Sequence, residues 1–206
     1  EDTRNGNSDI YAQRFNASGI GQWTANGIVI CNAANTQGDA RIVSDGSGGA
    51  IITWTDVRNG VSNIDIYAQR INSSGITQWT ANGVAISSAT GNQSVPTIVT
   101  DGAGGAVIAW VDSRNGNKDI FAQRVNSGGT TQWTADGVTV CTAPNDQDYS
   151  GIATDGSGGA IISWHDLRDG ANNRIYVQRI NASGTAQWTM DGILASTFVS
   201  NQDYAS

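Results

Sequence analysis

Lysine, histidine and glutamate each occur once in this chain, and leucine occurs twice, so three common helix-forming residues are nearly missing. Glycine and alanine are the most frequent residues, and isoleucine, serine, threonine, asparagine and valine are also abundant. β-Branched residues favour strands, and glycine with asparagine favours the tight turns that join them. The composition therefore predicts an all-β protein.

The near absence of lysine also limits the partners of the chain. With a net charge of −7, it has no basic surface to neutralise a phosphate backbone, so nucleic acid and anionic membrane are expected to be poor partners. No apolar run approaches the ~20 residues that cross a bilayer, and no basic leader precedes an apolar stretch. We therefore expect no membrane insertion and interpret the sequence as a mature region without a signal peptide.

Copies of one unit of about 55 residues make up the chain. A tryptophan preceded by glutamine marks each copy, at Trp23, Trp79, Trp133 and Trp188. Within a unit, runs of β-branched and aromatic residues alternate with glycine-rich and Asn-Gly turns, which are strong hairpin signals. Each unit is therefore predicted to be a four-stranded antiparallel meander, whose strands we call a to d in chain order.

Repeated meanders of this kind predict a β-propeller, because a twisted sheet with two half-apolar faces buries both by stacking between neighbouring blades. The predicted units are a partial blade at residues 1–36 with strands c and d only, blades at about 37–92, 93–146 and 147–201, and the start of a further unit at 202–206. The chain is thus one propeller or a propeller segment. Cys31 and Cys141 lie two units apart at the same point of the repeat, so we expect free, partly buried thiols.

The repeat also resembles known propellers. The run Ile-x-x-Asp-Gly-x-Gly-Gly-Ala-x-Ile-x-Trp-x-Asp-x-Arg-Asn-Gly-x-x-Asp-Ile-Tyr-Ala-Gln-Arg, followed by Ser-Gly-x-x-x-Trp, is similar to the blades of secreted bacterial propeller proteins. It is more distantly similar to the repeats of the sialidase-like (BNR, Asp-box) superfamily, although the turn Ser74–Trp79 lacks the aspartate of the Asp-box. The resemblance implies an extracellular or cell-surface propeller and does not itself imply catalysis.

Residues that recur in every copy are interpreted as structural framework, because one staple per blade is simpler than several active sites. The framework comprises Trp54, Trp110 and Trp164 of strand b and Arg70, Arg124 and Arg179 of strand c. These arginines share a strand face with apolar residues and need partners. We expect Asp56 and its equivalents to pair with them.

Function is sought where the copies differ, which is chiefly the connection from strand d to the next strand a. Propeller ligands bind where such variable loops converge, and an aromatic ring beside carboxylates and amides suits a sugar. The candidate ligand contacts are Gln37, Asp39, Arg41, Gln93, Asp146, Gln147, Asp148, Tyr149, Gln202, Asp203 and Tyr204. The alternative, that these are solvated loop residues, stays open.

Calcium is the one metal that the sequence brings into consideration. Hard oxygen donors flank the turn between strands b and c, as calcium prefers, although their spacing is not that of an EF-hand loop. The candidate ligands are Asp56, Asn59, Asp65, Asp112, Asn115 and Asp119. No cofactor is otherwise required.

The sequence lacks the catalytic motifs that are typical of hydrolases. His165 is the only histidine and replaces Thr55 or Val111 beside a framework tryptophan, and no Gly-x-Ser-x-Gly elbow occurs. Arg41 and Arg174, the only arginines outside the repeat, cannot supply the arginine triad of a sialidase-like site. The sequence therefore predicts a protein that is not an enzyme.

Three functions follow from these observations. The first is a non-enzymatic extracellular propeller for binding or adhesion, with a glycan or another cell-surface ligand. The second is a structural subunit that self-assembles through its incomplete blades into an oligomer or extracellular filament, since open sheet edges recruit partners. Completion of the ring by the rest of a longer chain is the other way to cover those edges. The third and least favoured is a sialidase-like glycoside hydrolase.

Overall fold

The predicted meander is present three times in the computed structural model, which describes residues 2–196. Strands β1 (Ile10–Ala12) and β2 (Ile28–Cys31) form a two-stranded partial blade. Blade 1 contains β3 (Gln37–Ser44), β4 (Ala50–Asp56), β5 (Asp65–Ile71) and β6 (Val84–Ser87). Blade 2 contains β7 (Gln93–Thr100), β8 (Ala106–Asp112), β9 (Asp119–Val125) and β10 (Val138–Cys141). Blade 3 contains β11 (Gln147–Thr154), β12 (Ala160–Asp166), β13 (Arg174–Ile180) and β14 (Ile193–Leu194).

Every blade pairs its strands antiparallel and in chain order, as expected for a meander joined by tight turns. The all-β propeller architecture with four-stranded antiparallel blades is therefore confirmed, and the sheets do not close into a ring within residues 2–196. No helix lies within those residues, and so none that could cross a membrane.

The blades stack face to face with their first strands adjacent, so that β7 contacts both β3 and β11. Buried apolar side chains form a cluster at each of the three junctions, and the fully buried Trp54, Trp110 and Trp164 belong one to each cluster. Burial of such large side chains on both faces of a sheet is the main stabilising contribution of the stack.

The end of strand b is held by a repeated Trp-x-Asp-x-Arg arrangement. In blade 1, Trp54 Nε1 donates to Asp56 Oδ2 at 2.8 Å, and Arg58 donates to both carboxylate oxygens of Asp56 through Nε and Nη2 at 2.9 and 2.6 Å. The Arg58 guanidinium lies 3.7 Å from the ring centroid of Tyr67. Asp56 is therefore fully engaged by framework groups of its own blade.

The arginines of strand c do not pair with Asp56 and its equivalents, so that part of the sequence interpretation is wrong. Arg70 Nε and Nη2 donate to Asp45 Oδ2 at 3.1 and 2.9 Å, and Arg124 and Arg179 make the same contacts with the corresponding turn aspartates, Asp101 and Asp155. Antiparallel pairing explains the difference, because it sets Arg70 opposite Ile51, at the start of strand b and next to the a–b turn.

Each first strand contains a bulge at its third residue. The bulge residues, Asp39, Val95 and Tyr149, have φ angles of 50°, 51° and 50°, and the pairing with strand b shifts register there. This left-handed conformation costs a residue other than glycine roughly 1 kcal/mol, and strained backbone of this kind is concentrated at functional sites. The bulge re-aims the side chains of the variable d–a connection.

Candidate functional site

The glutamines that open the first strands are structural. Gln37, Gln93 and Gln147 are fully buried, and their Nε2 groups donate to carbonyl oxygens of the preceding loop, such as Gln147 to Asn145 at 3.0 Å. Their Oε1 atoms accept no hydrogen bond from the protein. These three predicted ligand contacts therefore present no surface to a ligand.

The other predicted contacts divide between blades 1 and 3. Asp39 and Arg41 lie exposed on β3, whereas Asp148 and Tyr149 lie on β11, with β7 between the two strands. Asp146 is exposed before β11, and its Oδ1 accepts the backbone N–H of Lys118 at 3.1 Å. The predicted contacts Gln202, Asp203 and Tyr204 lie outside the described residues.

Four residues that differ from their equivalents in the other described copies meet at the bulge of β11, and we call them the β11 cluster: Lys118, Asp148, Tyr149 and His165. Lys118 replaces Ser8, Ile64 and Asn173 of the other copies, and Asp148 replaces Gly38 and Ser94. Tyr149 replaces Asp39 and Val95, and His165 replaces Thr55 and Val111. Blades 1 and 2 therefore have no counterpart of this cluster.

The register of blade 3 and the stacking of blade 2 bring these side chains together. Asp148 and His165 are cross-strand neighbours on β11 and β12, and the Tyr149 ring lies 5.7 Å from the His165 ring at an interplanar angle of 57°. Lys118, in the loop before β9 of blade 2, reaches across the junction and donates from Nζ to Asp148 Oδ2. The backbone N–H of Tyr149 donates to Asp148 Oδ1 at 2.9 Å.

Tyr149 and His165 of the β11 cluster differ in how far they are exposed to solvent. The Tyr149 side chain stands at the surface, as the residue is 63% exposed, whereas His165 beneath it is 7% exposed. The hydrogen bond to Asp148 raises the pKa of Lys118, so the ion pair persists well above neutral pH. The arrangement is an aromatic platform over a buried imidazole, with a carboxylate and an ammonium group beside it.

Asp148 and Tyr149 were among the ligand contacts predicted from the sequence, whereas Lys118 and His165 were not. A comparison of the copies could have identified Lys118 and His165. Each is the only charged or aromatic side chain at its repeat position in the described copies. A residue that differs from its equivalents in the other described copies does not serve the structural role that those equivalents share.

The predicted calcium ligands are occupied by N–H donors. Asn59 and Asn63 donate to the two carboxylate oxygens of Asp65 at 2.8 and 2.9 Å. Asn115 and Asn117 donate in the same way to the two carboxylate oxygens of Asp119. Burial raises the pKa of both Asp65 and Asp119. Asp112, like Asp56, accepts from its own tryptophan and arginine. Among residues 2–196, no three acidic, histidine or cysteine side chains form a metal-binding group.

Comparison with known proteins gives matches at the level of structure only. No protein-family model matches the chain, and no curated protein matches it in sequence. An endo-arabinase from Bacteroides thetaiotaomicron VPI-5482 is 18% identical, with a TM-score of 0.45, and the match covers 82% of this chain and 62% of that one. A thermostable family-43 glycoside hydrolase is 12% identical, also with a TM-score of 0.45, over 87% of this chain and 64% of the enzyme.

These comparisons correct the functional interpretation of the sequence. Both matched structures are of enzymes, so the prediction of a non-enzymatic binding or adhesion protein does not stand, and its alternative of a self-assembling structural subunit falls with it. The prediction that the chain is not an enzyme is withdrawn on the same finding. The chain spans just under two thirds of the length of either enzyme, and at these identities neither activity is carried over to it. A propeller-like fold is what the chain shares with them.

Proposed function

We propose that this chain belongs to a carbohydrate-active β-propeller and that the β11 cluster contacts the sugar. The observation that carries the proposal is the convergence of Lys118, Asp148, Tyr149 and His165 on one strained bulge, although they come from two blades and three segments of the chain. The other copies within residues 2–196 have different residues at these four positions, so no framework role shared by those copies explains them.

The chemistry of the β11 cluster suits a sugar ring. A sugar presents an apolar C–H face, which stacks on an exposed aromatic ring, and a rim of hydroxyl groups, which exchange hydrogen bonds with charged and amide groups. Tyr149 supplies the ring, Asp148 an acceptor and Lys118 a donor. Carboxyl and imidazole groups are also the kinds of side chain that transfer protons, so Asp148 and His165 add a capacity for chemistry on the bound sugar.

Electrostatics narrows the class of sugar. The chain carries a net charge of −7, and its one lysine is already paired with Asp148. A polyanionic glycan would therefore be repelled, whereas a neutral polysaccharide would not. We propose a neutral polysaccharide as the ligand, met outside the cell or at its surface, with Asp39 and Arg41 on β3 as a second contact region.

Affinity electrophoresis in gels that contain arabinan, xylan, β-glucan or polygalacturonate tests the contact. We expect one of the neutral polysaccharides to retard the protein and the polyanion to leave its mobility unchanged. Tyr149→Ala should weaken retardation about tenfold or more through loss of the stacking ring, and Tyr149→Phe should retain most of it. Phe15→Ala is the matched control, because Phe15 is 64% exposed on the partial blade.

Unchanged mobility in all four gels, or equal retardation of the wild type and Tyr149→Ala, would contradict the proposed contact. The enzymatic part has its own readout, the release of reducing ends from the retarding polysaccharide during long incubation. We expect release by the wild type and none by Asp148→Asn. Retardation without release would refute the enzymatic part and leave the contact site intact.

A further inference from the structure

The connection between blades 2 and 3 directs three successive carbonyl oxygens at one buried side chain. Gln147 is fully buried, and its Nε2 lies 3.2, 3.3 and 3.0 Å from the carbonyl oxygens of Ala143, Pro144 and Asn145. Asn145 adopts a left-handed φ of 62° in this loop. A side-chain amide has only two N–H hydrogens to donate. The three carbonyl oxygens therefore have more acceptor capacity than the Gln147 amide can satisfy.

A second amide group, from the b–c turn of blade 2, approaches the same oxygens. Asn117 Nδ2 lies 2.7 and 3.5 Å from the carbonyl oxygens of Asn145 and Ala143, and 3.1 Å from Asp119 Oδ1. The amides of Asn117 and Gln147 thus make six N···O contacts and have four hydrogens between them. Oxygen atoms are in excess at this point of the blade junction.

Asp119 adds a buried negative charge to this group of oxygens. The residue is 1% exposed, and within residues 2–196 its carboxylate accepts only the amide N–H groups of Asn115 and Asn117. No lysine or arginine of the same residues forms an ion pair with it. A buried carboxylate is costly unless a positive group or a metal ion compensates its charge.

The Oε1 atom of Gln147 is a further buried oxygen, and it accepts no hydrogen bond from the described residues. Half a turn of the amide about its last side-chain bond exchanges Oε1 with Nε2 and leaves the shape of the group nearly unchanged. Oε1 then points at the three loop carbonyls, and the same rotation brings the Asn117 amide oxygen to them. Oxygens that share one calcium ion at 2.3–2.6 Å lie roughly 3 Å apart. The contacts of 2.7–3.5 Å in this group match that spacing.

We infer that these oxygens form a calcium site at the junction of blades 2 and 3. Calcium takes about six to eight oxygen ligands from carboxylates, side-chain amides and backbone carbonyls, which are the donors that meet here. The ligands are Asp119 Oδ1, the amide oxygens of Asn117 and Gln147, and the carbonyl oxygens of Ala143, Pro144 and Asn145. The ion replaces the two amide N–H donors, and Asn115 stays on Asp119 Oδ2. Because the ion is enclosed, the burial of Gln147 is compatible with its role as a ligand.

The junction between the partial blade and blade 1 repeats this arrangement. Gln37 Nε2 lies 3.4, 3.3 and 3.2 Å from the carbonyl oxygens of residues 33–35, and its Oε1 has no partner among the described residues. Asn7 Nδ2 contacts Asp9 Oδ1 and two of the same carbonyl oxygens. Asp9 is 1% exposed. We therefore expect a second calcium ion at this junction.

The junction between blades 1 and 2 lacks the carbonyl oxygens. Gln93 Oε1 is again without a partner, but Gln93 Nε2 contacts only the Gly91 carbonyl oxygen within residues 2–196. Asn63 Nδ2 contacts Asp65 Oδ1 and no loop carbonyl of those residues. Asp65 is as buried as Asp9 and Asp119. This junction is therefore a matched control within the same chain.

The calcium site would also connect the two segments that supply the β11 cluster. Lys118 lies between the ligands Asn117 and Asp119, and Asp148 follows the ligand Gln147 directly. An ion held by both segments fixes blade 2 against blade 3 at the point where Lys118 meets Asp148. The site does not depend on the proposed sugar contact, because none of its ligands belongs to the β11 cluster.

Equilibrium dialysis of chelator-treated protein against CaCl₂ tests the inference. We expect two calcium ions per chain, with a Kd of roughly 10⁻⁴–10⁻³ M because each site has one carboxylate. The Tm should rise with CaCl₂ and not with MgCl₂, since magnesium demands shorter, octahedral ligation. Asp119→Asn should bind one ion, whereas Asp65→Asn, the control at the middle junction, should bind two.

Gln147→Glu separates an ion site from a hydrogen-bonding role of the amide. Without calcium this variant should be less stable than the wild type, because a second buried carboxylate then faces the loop carbonyls. With calcium it should bind the ion about tenfold or more tightly, since added ligand charge raises affinity. The inference is overturned by an absence of calcium binding at about 10 mM CaCl₂, by equal calcium loss in Asp119→Asn and Asp65→Asn, or by a loss of stability in Gln147→Glu that calcium does not reverse. A Tm rise with MgCl₂ equal to that with CaCl₂ would overturn the assignment to calcium.

Discussion

The aspartate of the a–b turn is a single residue on which two parts of each blade depend. Asp45 is 3% exposed, and its Oδ1 accepts the backbone N–H groups of Ser47 and Gly49, while its Oδ2 accepts Arg70. Burial by itself would raise the pKa of Asp45, but the hydrogen bonds from Ser47, Arg70 and Gly49 outweigh burial and lower it. Asp155 shows the same lowered pKa for the same reason.

Asp45→Asn should therefore reduce stability at neutral pH and flatten its dependence on acid. The folded protein binds fewer protons than the unfolded chain near the ordinary carboxyl pKa of 3.8, so the contribution of Asp45 is complete above that pH and is lost as the pH falls through the lowered value. We expect a loss on the order of 1 kcal/mol at pH 7, from urea unfolding, that becomes smaller as the pH falls below 3.8. Asp39→Asn, an exposed aspartate, is the control, and a constant loss at both pH values would contradict this account.

At the scale of elements, the c–d connection is specified by close contact as well as by turn conformation. Gly137 has a φ of 92°, and a Cβ there would lie 2.6 Å from the Trp110 ring and 2.8 Å from the Ala122 carbonyl oxygen. Gly102 in the a–b turn has a φ of 76°, but nothing lies within 4 Å of its built Cβ. Gly137 is therefore required both because a side chain would clash there and because its φ is positive, whereas Gly102 is required by its positive φ alone.

The variants Gly137→Ala and Gly102→Ala separate these two effects. Gly102→Ala should cost about 1 kcal/mol, the penalty for an alanine in the left-handed region. Gly137→Ala should cost roughly 3 kcal/mol or more, because the indole of Trp110 is fully buried and cannot move aside without disturbing the blade junction. Urea unfolding of both variants measures the difference, and equal losses would show that the close contact is unimportant.

The whole molecule is a stack in which each blade is covered by its neighbours, and the partial blade has the least cover. Cys31 lies on β2 of that partial blade, and Cys141 lies on β10 of blade 2. Both thiols are fully buried, and burial raises their pKa values to about 11 and about 12. Native-state reaction with a thiol reagent therefore requires local opening.

We expect Cys31 to react before Cys141, because a two-stranded sheet with a free edge opens at lower free energy than a blade packed on both faces. Labelling of the single variants Cys31→Ser and Cys141→Ser under native conditions measures the two rates separately. Neither should react on the timescale of an exposed thiol. Equal rates for both, matching global unfolding, would mean that the partial blade is as stable as the rest.

Much of this architecture could be predicted from local sequence. The spacing of the tryptophans and the Asn-Gly and Asp-Gly turns predicted four-stranded blades, because turn conformation and alternating apolar residues act over a few positions. The contacts of charged groups were harder. Arg70 was assigned to Asp56, yet the antiparallel register sets the end of strand c beside the a–b turn and therefore beside Asp45.

The candidate site shows the same division. Asp148 and Tyr149 could be selected because they lie in a connection that varies between copies, and the neighbouring Gln147 was selected with them although its side chain turns inward to loop carbonyls. Lys118 and His165 were missed because each lies in a segment that resembles ordinary framework. Only the pairing of β11 with β12, and the stacking of blade 2 against blade 3, bring them to Asp148.

The sequence by itself therefore determined the all-β class, the repeated blade and the places where copies differ, since all of these arise from interactions between residues close in the chain. The tertiary structure decided which aspartate each arginine contacts, that the glutamines are buried, and that four residues that differ from their equivalents in the other described copies form one cluster. Those outcomes depend on strand register and blade stacking, which join residues that local pattern cannot relate.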